Sequence, residues 1–154
     1  MANTTGTTGT TGARQASAGG ATAAAPTALG KVIEVRDGQV VFAPVGTNYE
    51  LHLVAPNYGG PTGTPVRGIV RVTARKLWTV PSGGNFINPI FGTPRTIQGL
   101  VRALDPRQLV VQAGCPIRVD LPDSDIVYDL ANGPIRVGRI VNVTALPGAT
   151  FELA

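Results

Sequence analysis

Cysteine, histidine, methionine and tryptophan each occur once in 154 residues, and only 14% of the chain is charged. A single thiol, Cys115, excludes an internal disulfide framework and any zinc site built on clustered cysteines. A single imidazole, His52, excludes a histidine pair, so a metal site would have to draw on carboxylates. No apolar run approaches the roughly 20 residues of a membrane-spanning helix. Lysine is nearly absent as well: only Lys31 and Lys76 accompany the arginines among 13 basic residues, against 9 acidic ones. The net charge of +4 admits an anionic partner without demanding one. Residues 1–28 lack the apolar centre of a secretory signal, and with Arg14 alone they lack the arginines of a transit peptide. The cytoplasm is therefore the expected compartment, and a lone cysteine is compatible with it.

What the chain does have is punctuation: 20 Gly and 13 Pro. Residues 1–28 are mostly Thr, Gly, Ala and Ser, too poor in apolar surface to offset chain entropy, so a disordered tether is expected there. From Leu29 onward, short runs of Val, Ile and Leu alternate with period two and none has helical spacing. Strands are expected over 30–36, 39–45, 49–54, 66–78, 97–104, 108–113, 116–121, 134–145 and 149–153. Asp37-Gly38 and Asp105-Pro106 mark tight turns between pairs of them. The fold is read as all-β.

The chain also repeats itself. Gly30 to Phe42 aligns with Gly99 to Val111 at a constant offset of 69 residues. Pro65-Val66-Arg67 aligns with Pro134-Ile135-Arg136 at the same offset, and Ile69 to Ala74 with Ile140 to Ala145 at 71. The slip implies an insertion of two residues in the second copy. An open sheet of four or five strands leaves edges exposed, whereas rolling it into a small barrel of OB type removes most of them. Two tandem OB-like barrels are expected, over 29–80 and 99–154, with a Gly/Pro/aromatic connector over 81–98. Packed together, they would share a core larger than either could bury alone.

The stretches GKVIEVRDGQVVFAP, ELHLV and GTPVRGIVRVTARKLWTV resemble the small TOBE barrels found in tandem in molybdate-binding proteins and at the end of some transporter ATPases. The likeness spans about 30–80 and 99–153 and implies tandem barrels with a small-oxyanion site at their interface. The Ser-Ala-Arg-Asn-type lead-in of that family is replaced by Thr27-Ala28-Leu29, and its Lys-Ala-Ser-like element by Thr73-Ala74-Arg75-Lys76. The resemblance therefore implies architecture, and no individual binding residue carries over.

Little points to catalysis. His52 alternates with Leu51 and Leu53 and reads as a surface-facing strand residue rather than the base of a nucleophile. Cys115, between Gly114 and Pro116, reads as a small buried side chain. Asp120, Asp123, Asp125 and Asp129 lack the spacing of a calcium loop and read as a solvated acidic loop. The glycines near 59–63 and 83–84 are not followed by the residues of a phosphate-cradling loop. No catalytic residue, cofactor or metal is expected.

Two features suggest binding. Arg67, Arg71 and Arg75 share a strand face with Ile69 and Thr73, a basic stripe about 26 Å long at roughly 3.3 Å per residue. Lys76 and Trp78 come next on the same strand, Trp78 as a stacking platform, and Arg95, Arg102 and Arg107 follow. A positive groove with aromatic platforms is how OB barrels hold single-stranded nucleic acid, while the plainer reading is a solvated face. In the connector, Phe86, Ile87, Ile90 and Phe91 must pack between the barrels or against another chain. The expected function is a non-catalytic binding or structural-assembly module that self-associates. The alternatives are single-stranded nucleic-acid binding through Arg67, Arg71, Arg75, Lys76 and Trp78, and small-oxyanion binding at the barrel interface.

Overall fold

A computed structural model describes residues 26–123 and 126–154. The tether expected over 1–28 lies, up to residue 25, outside the described residues, as does Asp125. Among the described residues there is no helix, and the fold is all-β. The strands are β1 (Ala28–Arg36), β2 (Gln39–Pro44), β3 (Glu50–Val54), β4 (Pro65–Val80), β5 (Phe86–Asn88) and β6 (Phe91–Gly92). They continue as β7 (Thr96–Asp105), β8 (Gln108–Ala113), β9 (Cys115–Asp120), β10 (Val127–Asp129), β11 (Ile140–Ala145) and β12 (Thr150–Leu153). The connector is thus partly regular: β5 pairs with β7, and β6 lies parallel to β3.

The β1–β2 and β7–β8 hairpins are one design used twice. Val32 opposes Phe42 and Val101 opposes Val111; each ladder then bulges and resumes at Glu34–Val41 and Ala103–Val110. All these positions correspond at an offset of 69. Gly30 and Gly99 have the same reason to be glycine: a Cβ on either would strike a carbonyl oxygen, that of Ala43 or of Gln112. The turns differ. Asp37 and Gly38 both take positive φ, 52° and 77°, as a tight hairpin between right-twisted strands favours. In the second copy the Asp105 carboxylate accepts the Arg107 N–H at 2.8 Å.

Past the hairpins the sequence alignment is corrected. Gln39 opposes Val54 and Gln108 opposes Asp120, an offset of 66 in the third strands. Gly30 opposes Val66 and Gly99 opposes Val141, an offset of 75 in the fourth. Nine residues, not two, are inserted between β9 and β11. Pro134-Ile135-Arg136 lies in this lengthened connection and is not the counterpart of Pro65-Val66-Arg67, so the strand expected over 134–145 begins only at Ile140.

The pairings close on themselves twice. One circuit runs β1–β2–β3–β12–β4 and back to β1, with Thr150 opposite Val54, Phe151 opposite Val70 and Ala28 opposite Gly68. The other runs β7–β8–β9–β4–β11 and back to β7, with Ile117 opposite Val70 and Val143 opposite both Leu77 and Ile97. Each circuit takes its last strand from the other copy: β12 leaves the second copy to complete the first circuit, and the far half of β4 does the converse. Gly68 is flanked by Ala28 on one edge and by Leu153 on the other.

Packing follows this exchange. The Phe151 ring lies 4.7 Å from that of Phe42 and 6.1 Å from that of Tyr58, centroid to centroid, and glycine at 68 leaves room for it. Along β4 the buried side chains are Val70, Val72 and Ala74, then Leu77 and Thr79. The phase changes at a bulge, where Ala145 opposes Ala74 but Thr144 opposes Lys76. Cys115 is buried as expected, and burial pushes its thiol up from 9.0 to about 12.

Two outcomes are expected. Phe151→Ala should cost about 3–5 kcal/mol in urea unfolding, the range for a buried phenylalanine; a loss below about 1 kcal/mol would show that β12 is dispensable. The Cys115 thiol should resist a disulfide reagent near neutral pH in the native chain and react fully in urea. Because its folded value is raised, the stability conferred by the neutral thiol is whole below 9.0 and is lost as pH climbs toward 12.

Candidate anion-binding cleft

The bulge in β4 does more than shift a phase. It leaves Arg75 without a partner across the ladder and turns it, exposed, toward the loop that joins β11 to β12. That loop is held from two sides. The Ala145 N–H donates to the Arg95 carbonyl at 2.8 Å, and the Ala149 carbonyl accepts the Val54 N–H at 2.8 Å. Between these anchors opens a cleft of about 680 Å³. Its wall carries Arg75, Arg95, His52 and Gln39, with the threonines at 93, 96 and 144, and it contains no carboxylate. Among the described residues neither Arg75 nor Arg95 forms an ion pair. Two guanidiniums and an imidazole beside hydroxyl and amide donors make a surface suited to an anion. His52 and Gln39 also border a smaller hollow of about 270 Å³ whose wall carries Glu34, Asp37 and Glu50 together with Arg36.

The structure divides the residues singled out in the sequence. Arg67 and Arg75 are exposed, but Arg71, between them, is half-buried, its Nε 3.5 Å from the Asp120 carboxylate. The stripe is therefore not three free cations; only Arg75 enters the cleft. Lys76 lies past the bulge with its Nζ 5.0 Å from the centroid of the Trp78 ring, a cation–π pair on the segment flanked by β10 and β11. Asp120 does not belong to a solvated loop: it sits in β9 and accepts the Gln108 amide at 2.8 Å. Asp123 is exposed beside Arg107, and the Asp129 carboxylate accepts the Ala131 N–H at 3.1 Å. Among the described residues no three His, Cys, Asp or Glu side chains gather as a metal site would require, and no helix is long and apolar enough to cross a membrane.

The four apolar connector residues also part company. Ile87 is buried, and its N–H donates to the Tyr49 hydroxyl at 3.2 Å. Phe86 is half-buried, whereas Ile90 and Phe91 are 43% and 63% exposed. The backbone around them is fixed all the same: the Ile90 carbonyl accepts the Glu50 N–H at 2.8 Å. Ile87→Ala should therefore cost about 2–5 kcal/mol in chemical denaturation. Phe91→Ala should stay within about 0.5 kcal/mol of the parent, as surface changes do.

Sequence reasoning named Arg75, Arg95 and His52 separately and did not assemble them, since the bulge and the loop that bring them together leave no local signal. No protein-family model, curated protein or solved structure matches the chain, so the reading of the cleft rests on its own geometry.

Proposed function

We propose that this chain is a non-catalytic binding module that holds a small anion in the cleft between two five-stranded, OB-like barrels. Each pairing circuit has the five strands of an OB barrel, which supports the barrel reading. The observation that carries the ligand class is the acid-free wall bearing Arg75, Arg95 and His52. A stacked single strand of nucleic acid is less well served, because Asp120 stands beside the middle arginine of the stripe. Self-association is the second reading, favoured by the exposure of Ile90 and Phe91 on the ordered connector.

A ligand that binds only the folded chain stabilises it by about 2.7 kcal/mol at a concentration 100 times its Kd. Sulfate, phosphate or molybdate should therefore raise the melting temperature of the parent chain at constant ionic strength. Arg75→Ala/Arg95→Ala should melt like the unliganded parent and lose this response. An equal rise in the double variant, or none in the parent, would refute the cleft. Light scattering of the same samples, with and without a short oligonucleotide, separates the assembly and nucleic-acid readings.

A further inference from the structure

The duplication supplies a second copy of part of the cleft wall, and that copy carries a carboxylate. Gln39, His52 and Val54 line the open cleft. Their counterparts through the hairpin and third-strand registers are Gln108, Arg118 and Asp120. At this second junction the Asp120 carboxylate accepts the Gln108 amide at 2.8 Å and stands 3.5 Å from the Nε of Arg71. Arg118 lies directly across from Arg71 in the parallel β9–β4 ladder. The Nε atoms of both arginines are buried and hydrogen-bond to nothing among the described residues. Two neighbouring guanidiniums with unused buried donors, only one of them beside a carboxylate, are more positive charge than a structural ion pair needs.

We infer that the junction of Gln108, Arg71 and Arg118 is a latent anion site occupied by the chain's own Asp120. This rests on the reading of the open cleft as an anion site. In the first copy the equivalent position is Val54, which has no charge to offer, and the cleft beside it stays open to an outside anion. The carboxylate of Asp120 also indicates the ligand class that this wall accepts: a carboxylate or another small oxyanion received by a glutamine amide and a cation. Removing the internal carboxylate should free the second junction without touching the first.

Calorimetric titration with inorganic phosphate, and in a second arm with acetate, tests this on the full chain. The parent should bind one equivalent and Asp120→Asn two, with the second equivalent lost again in Asp120→Asn/Arg118→Ala. Asp120→Val, which installs the residue of the first copy, serves as an independent variant should the amide disturb folding. One equivalent in the parent and still one in both Asp120 variants would overturn the latent site and leave the open cleft standing. No binding by the parent but one equivalent in the Asp120 variants would overturn the open cleft and uphold the latent site. No binding by any of them would overturn both.

Discussion

Strand β4 is the constraint on which the rest depends. Its 16 residues reach about 50 Å at roughly 3.3 Å per residue, far beyond the strands beside it. Such a strand would present long unpaired edges to water unless several partners shared it. The structure meets that demand in order along each edge: β1, then β9 and β10 on one side, β12 and then β11 on the other. Once β4 spans both pairing circuits, the first circuit is left without its own last strand. β12 fills the gap, and the Phe151 ring fills the space beside Gly68 and Phe42. The buried residues accordingly form one cluster across both copies.

The cleft is a by-product of the same arrangement. A continuous β4 needs no loop where it passes from one circuit to the other, whereas the second copy needs one to carry the chain from β11 to β12. That loop and the bulge at Arg75 face each other across the open cleft. At the opposite junction, strands alone form the wall, and Asp120 sits within it. The two copies thus differ in charge where they differ in connection.

How much of this was legible follows from range. The two hairpins were readable because alternation and turn chemistry are local, and Gly30 with Gly99 marked their equivalence. The fourth strands were not, because Ile-Val-x-Val-Thr-Ala occurs in both copies and attracted an alignment that hydrogen bonding does not respect. β12 has four residues and nothing in Thr-Phe-Glu-Leu says which circuit it joins. β5 and β6, three and two residues long, exist through their partners rather than their propensity. The arginine stripe was correctly placed on one strand face, but the carboxylate beside Arg71 arrives from residue 120, beyond the reach of periodicity.

The flanking of Gly68 by Ala28 and Leu153 has a topological consequence. The strands that open and close the described fold lie two ladder spacings apart, about 10 Å at the usual inter-strand distance. A short bridge from Ala154 put in place of residues 1–27 would make the backbone a loop and leave the strands of both circuits intact. The chain could then be cut in the exposed turn near Gly83 and Gly84, yielding a permuted order in which the second hairpin is synthesised first. Sequence order and spatial order are, in this molecule, separable.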